Sequence, residues 1–222
     1  MSRLSSQASL LSRRSLRNSY HQLKFAMNKR WLGVQRPLPH LTDYSIAADF
    51  ANILIAELLR GRSKLIVEAG CGFSTMVAAY CLRHLGRGLL VSLEHDKAYL
   101  DRCQQLILEH GLQEYVQLVH APLERVTVDH EEWLWYNPRF KDGLKEIDVL
   151  VVDGPPATVQ PLSRYPILPI LFDRLSSDAL VLMDDGCRPE EREIAARWNQ
   201  QYGCFDTTYV ETERGLIRLK RR

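Results

Sequence analysis

Apolar positions along the chain alternate between short continuous runs and stretches at helical period. Runs at 65–67, 89–93, 115–119, 147–152 and 179–183 read as strands, and the stretches at 74–85, 97–110, 166–175 and 189–201 read as helices. In the second of these helices Leu100, Cys103, Leu106 and Ile107 share one face. Gly86, Gly88 and Gly111 close segments of this kind, and Pro166 and Pro189 open theirs at the first turn, where a missing N–H does no harm. Ahead of this region Ile46, Phe50, Ile53, Leu54 and Leu58 also share a helical face, with Thr42 or Asp43 as its cap and Gly61 as its end. Beyond residue 204 the rhythm changes, and 205–211 with 215–220 predict an antiparallel hairpin. The least regular stretch is 127–146, which carries Trp133, Trp135 and Tyr136. Continuous apolar runs separated by amphipathic helices call for a mostly parallel sheet buried on both faces, since each parallel crossover needs a helix to return the chain. The fold class expected is α/β, doubly wound.

Composition changes this picture at one end. The 222 residues carry 29 basic and 27 acidic side chains, a net charge of +2. The segment from Met1 to Leu41 holds eight of the cations and no carboxylate, which leaves 21 cations against 27 acids, or −6, in the rest. Residues 1–42 therefore read as a basic, partly helical arm, and 43–222 as the domain proper. The arm suits contact with an anionic membrane or RNA, or a transit peptide, and equally a solvated terminal helix. No apolar run approaches the ~20 residues that span a bilayer, and no secretory signal is legible, so a cytoplasmic protein is expected. Five cysteines without a C-x-x-C pair (Cys71, Cys81, Cys103, Cys187 and Cys204) argue for buried reduced thiols rather than disulfides or zinc.

Chemistry concentrates where the first strand meets its helix. In Glu68-Ala69-Gly70-Cys71-Gly72-Phe73-Ser74-Thr75 two glycines allow a tight turn and close approach of a ligand to the main chain. Glu94 comes one helix and one strand after Gly72, at the end of the second strand, where a carboxylate can accept both hydroxyls of a ribose. A nucleoside cofactor follows. Ser74 and Thr75 stand where a pyrophosphate would want a third glycine, and Glu68 would repel a diphosphate but help hold an ammonium. These residues favour a zwitterionic cofactor over NAD.

Through E-A-G-C-G-F-S-T, S-L-E-H-D, H-A-P-L-E and V-D-G-P-P-A, the chain over roughly 43–222 resembles the class I S-adenosylmethionine-dependent methyltransferases. The patterns V-D-G-P-P, R-Y-P and D-D-x-x-R are similar to those of an uncharacterised bacterial subgroup. The resemblance implies a Rossmann-like seven-stranded sheet whose last strand is antiparallel and inserted beside the sixth. It implies that Gly70 and Gly72 face the methionine part, Glu94 the ribose, and His120, Ala121 and Pro122 the adenine edge; Cys71, Ser74, Thr75 and His95 are further expected cofactor contacts. D-G-P-P-A lacks the aromatic of the D-P-P-Y type, which makes methylation of a base amine the less expected chemistry.

Methyl transfer to a hydroxyl needs alignment and a proton acceptor. Asp153 follows the fourth strand, and Asp184 and Asp185 the fifth. All three are expected at the rim where ligands of parallel sheets bind, Asp153 near the cofactor as well. They serve as general base, or together as a divalent-metal site resembling that of catechol O-methyltransferases; the plainer alternative is that Asp184 or Asp185 caps the helix after Pro189. Arg164 and Arg188 either clamp an anionic substrate or pair on the surface. Trp133, Trp135 and Tyr136 form an acceptor lid or a satellite apolar cluster, and His130 is solvated in a polar loop. The function expected is methylation of an oxygen of a small-molecule or glycan-related acceptor. The alternatives are a non-catalytic cofactor-binding regulator, an RNA methyltransferase using the arm, and an NAD-dependent oxidoreductase.

Overall fold

The computed structural model describes residues 2–38, 46–60 and 64–222, with side chains described from Ser15 onward. The expected cap at Thr42 or Asp43 and the expected stop at Gly61 lie outside the described residues. Two helices come first, α1 (Ser2–Trp31) and α2 (Ala48–Arg60). Then β1 (Leu65–Ala69), α3 (Phe73–Leu85), β2 (Leu89–Glu94), α4 (Lys97–Glu109) and β3 (Val116–His120) follow one another as the apolar runs predict. A separate hairpin comes next, β4 (Leu123–Val128) and β5 (Glu131–Tyr136). The chain closes with β6 (Ile147–Val152), α5 (Ile167–Leu171), β7 (Leu175–Met183), α6 (Pro189–Tyr202), β8 (Phe205–Val210) and β9 (Leu216–Arg221).

Seven strands form one sheet in the order β3-β2-β1-β6-β7-β9-β8. The pairs from β3 to β7 are parallel, whereas β9 runs antiparallel to both β7 and β8. This is the expected Rossmann-like sheet, with the last strand inserted beside the sixth. Its strands are apolar on both faces for the reason read in the sequence. In β6, Val149 and Val151 enter one core with α2 and α3, while Ile147, Leu150 and Val152 enter the other with α5 and α6. In β7, Leu180 and Leu182 face the first core, and Ala179, Val181 and Met183 the second.

Three expectations are corrected. The irregular 127–146 stretch contains β5 and a short 3₁₀ turn, Pro138–Lys141, and β5 pairs with β4. The turn residues Asp129 and His130 both have positive φ, +51° and +68°. That is the conformation of the tight hairpin turn that sequences usually mark with glycine. The helix expected over 166–175 is only Ile167–Leu171, continued by a 3₁₀ turn at Phe172–Arg174 before β7 begins. The basic N-terminal segment also does more than project. Phe25 and Leu32 are buried in the first core, and Asn28 Nδ2 donates to Asn52 Oδ1 at 2.7 Å. Because α1 and α3 both pack against α2, that helix is buried around most of its circumference, Asp49 and Asn52 included.

Candidate functional site

Parallel strands end at one rim of the sheet, the place where ligands of such sheets bind. A cavity of about 450 Å³ lies there. Gly70 sits at its floor with φ +90°, and a Cβ on it would lie 3.1 Å from the Asp153 carbonyl oxygen. Glycine is required on both counts. Gly72 is different. Its backbone is extended, and a Cβ there would meet only the tip of Tyr99, 3.2 Å away. The turn is locked from below. Thr75 Oγ1 accepts from the Gly72 N–H at 2.8 Å and donates to Glu68 Oε2 at 2.5 Å, and Ser92 Oγ donates to the same oxygen at 2.6 Å. Glu68 is fully buried beneath the loop, and burial raises its pKa above the usual carboxylate value against the pull of neighbouring hydroxyls.

Glu94 lines the cavity from the end of β2. Its Oε1 accepts from the N–H groups of His95 and Asp96 at 2.8 and 2.9 Å, and His95 Nδ1 lies 2.8 Å away. Among the described residues no group donates to Oε2, which leaves that oxygen for a ligand. Asp96 then caps α4 by accepting from Tyr99 N–H at 2.9 Å, and this bond lowers its pKa.

The facing wall is charged. Arg164 is almost completely buried among carboxylates: Nη2 donates to Asp153 Oδ1 at 3.2 Å and Asp185 Oδ2 at 2.7 Å, and Nη1 donates to the Asp184 carbonyl at 2.9 Å. Arg188 Nη1 lies 3.0 Å from Asp185 Oδ2 and 3.5 Å from Glu191 Oε1. Four acids thus gather about these two cations. Burial pushes Asp153 up to about 7, with Arg164 opposing and Asp185 assisting. Burial likewise drives Asp184 well above its usual value, and Asp184 Oδ2 has no hydrogen-bond partner among the described residues.

Oxygens of Asp153, Asp184 and Asp185 lie within 4.8 Å of one another, close enough to be shared by a cation. A guanidinium already bridges two of the three. Displacing it would strand a buried charge, at a cost of about 3–5 kcal/mol. The residues therefore do not fit a hard divalent ion as they stand. The capping alternative for Asp184 and Asp185 is corrected as well. The N-cap of α6 is Arg188, with no side-chain cap bond, and its N–H bonds the Asp185 carbonyl at 2.8 Å. Surface pairing is also wrong for Arg164, which is buried, whereas Arg188 is half exposed.

Of the residues named from sequence, Gly70, Cys71, Glu94, His95, Asp153, Arg164, Asp185 and Arg188 line the cavity together. Glu68, Gly72, Ser74, Thr75 and Asp184 do not line it. Ala121 is buried beside β2, its N–H donating to the Glu94 carbonyl at 2.8 Å, while His120 is exposed with Nε2 3.2 Å from the His95 carbonyl. Neither they nor Pro122 line the cavity. Trp133 and Trp135 are core, the first stacked on Tyr165 at 5.1 Å, as in the apolar-cluster reading. Only Tyr136 of the three aromatics reaches the cavity. His130 is exposed in the hairpin turn. Sequence reasoning missed Tyr99, Thr158 and Arg214 as wall residues, all of them cavity-lining. Tyr99 was within reach, three residues past a helix-capping Asp; Arg214 is brought in by the terminal hairpin and had no local signal.

A family model described as a methyltransferase domain matches residues 67–186. No curated protein matches the chain. Solved structures do, in fold. A methyltransferase from Podospora anserina, bound to SAH, superposes with TM-score 0.68 at 14% identity, covering 98% of this chain and 96% of that one. An O-methyltransferase from Bacillus cereus in complex with SAH gives 0.63 at 13% identity, with 92% and 90% covered. One from Streptomyces achromogenes involved in tomaymycin synthesis, in complex with SAM, gives 0.61 at 16% identity, with 90% and 89% covered.

Proposed function

This chain belongs to the methyltransferase-domain family, and on that premise we propose that it moves the methyl group of S-adenosylmethionine to an oxygen of a small-molecule acceptor, without a metal ion. The observation that carries the reading is the cavity itself, with the Glu94 Oε2 acceptor on one wall and Asp153 on the other. A volume of about 450 Å³ suits a cofactor and a small acceptor rather than a polymer. Several of the similar structures are O-methyltransferases, which supports oxygen as the acceptor atom.

When bound, S-adenosylmethionine supplies an electrophilic methyl carbon on a sulfonium. Glu94 would hold the ribose hydroxyls through Oε2, because its Oε1 is committed to the backbone of His95 and Asp96. The Gly70 turn allows main-chain approach to the amino-acid portion. Asp153 would take the proton that the acceptor hydroxyl gives up on methylation. Its pKa of about 7 matches a base working at neutral pH. Arg164 holds the Asp153 carboxylate at the rim and supplies the positive charge that a cation would otherwise bring. Arg188, half exposed at the cavity mouth, attracts an anionic part of the acceptor.

Titration calorimetry with adenosylhomocysteine and with NAD, followed by transfer of labelled methyl to a panel of small hydroxyl compounds, tests the reading. Heat with the first ligand alone, and label in a hydroxyl product that is unaffected by chelator, is expected. Binding of NAD instead, or label that disappears with chelator, overturns it.

A further inference from the structure

Helix α1 has two faces of different character. His21, Phe25, Asn28 and Leu32 turn toward the body: Phe25 and Leu32 are buried, Asn28 bonds Asn52, and the His21 carbonyl accepts from Asn52 Nδ2 at 2.9 Å. On the other side Leu16, Tyr20, Leu23, Met27 and Trp31 recur every three or four residues, so they fall within an arc of roughly 80° along the helix. Each is between 56% and 70% exposed. Among the described residues the other large exposed apolar side chains, Leu108, Leu134 and Tyr209, are scattered over three different elements. A continuous stripe of five is more than the isolated leucines normal on a protein surface. It marks a place where something else covers the helix.

The charges around the stripe restrict what that is. Lys24 and Arg30 are exposed on its two flanks, Arg17 pairs with Glu211, and Lys29, Arg30 and Arg36 line an open cavity of about 500 Å³ where the helix ends. From Met1 to Leu41 there is no carboxylate side chain at all. A second copy of the chain laid along this stripe would bring like charges together with no acid of its own helix to relieve them. An RNA strand would use the cations but leave Leu23 and Met27 without purpose, because single strands want cations and aromatic platforms. An anionic lipid surface satisfies both features: leucine and methionine enter the acyl boundary, tryptophan and tyrosine suit the headgroup level, and lysine and arginine meet lipid phosphates. No described helix is long and apolar enough to cross a membrane, so the contact lies in the plane of the surface.

We propose that α1 anchors the protein to an anionic lipid surface through the Leu16, Tyr20, Leu23, Met27 and Trp31 stripe and its flanking cations. This anchor is independent of the chemistry in the cavity. The test is flotation of the full chain with vesicles of phosphatidylcholine alone and of equimolar phosphatidylcholine and phosphatidylglycerol. The protein is expected to float with the mixed vesicles, far less with the neutral ones, and to detach as salt rises. Lys24→Gln and Arg30→Gln should each weaken partitioning about fivefold. Leu23→Glu with Met27→Glu should abolish it while circular dichroism and the unfolding temperature stay unchanged, because both side chains are exposed. Failure to float with mixed vesicles at low salt overturns the proposal, and so does normal flotation of either set of variants. A solution dimer that Leu23→Glu with Met27→Glu converts to monomer would overturn it in favour of a second copy. RNA binding that displaces vesicles and survives that double substitution would overturn it in favour of nucleic acid.

Discussion

Glu94 and Asp153 face the same cavity but are held in opposite ways, and their variants should fail differently. Glu94 has one oxygen fixed by two backbone N–H groups, so Glu94→Gln keeps the shape and weakens the bond to a ribose hydroxyl. A charge-assisted hydrogen bond is worth about 1.5–3 kcal/mol, and calorimetry should find adenosylhomocysteine bound some ten- to a hundredfold more weakly. Asp153 is held by Arg164 and raised by burial to about 7. Its carboxylate, the form that takes a proton, predominates above that value in the free protein, so kcat/KM should rise with pH through about 7 and then level. The same shift opposes folding at neutral pH: the unfolded carboxyl ionises from about 3.8 upward while the folded one keeps its proton to about 7, so stability is lost as pH climbs through that window. Asp153→Asn should remove the rising limb of the rate profile and lower kcat by about 10²–10⁴, measured on the methyl acceptor. An unchanged pH profile would mean that the base is elsewhere. The placement of Glu94 and Asp153 at the cavity was legible in their positions at strand ends. The bridging of Asp153 and Asp185 by Arg164 was not, because the arginine lies far along the chain from both carboxylates, 11 and 21 positions away.

Among the elements, the β4–β5 hairpin was the least visible beforehand, and it brings Tyr136 to the cavity. It stands apart from the main sheet, and its alternation breaks at Trp135 and Tyr136, chain neighbours that are both buried. Trp135 is fully buried between Tyr136, 5.0 Å away edge-on, and Phe140. Trp135→Ala should cost about 3–5 kcal/mol, read as a lower urea midpoint. It should also weaken cofactor binding by loosening Tyr136, whose hydroxyl would lie 2.7 Å from a Cβ on Gly154. The helices and the parallel strands were readable because their period matches their burial. The hairpin was not, since its positive-φ turn is built from Asp and His.

For the molecule as a whole, α1 links its exposed stripe to the loop beside the cavity. Phe25 packs against Phe73, with ring centroids 5.5 Å apart, and Phe73 opens α3 directly after the Gly70 turn, so the helix that carries the exposed stripe also braces the cofactor loop. Phe25→Ala should lower stability by about 3–5 kcal/mol in thermal unfolding, and adenosylhomocysteine, which binds only the folded state, should restore part of the loss. The sequence by itself determined the parallel strands and most of the helices between them, the glycine turn and the carboxylates at its rim, because these rest on periodicity and on local backbone geometry. Tertiary structure alone decided that a buried arginine occupies the centre of the acid cluster, that Arg214 reaches the cavity, and that one face of the basic helix is packed while the other stays bare. Each of these depends on charges or surfaces that meet only after residues far apart along the chain are brought together, and no local pattern records such meetings.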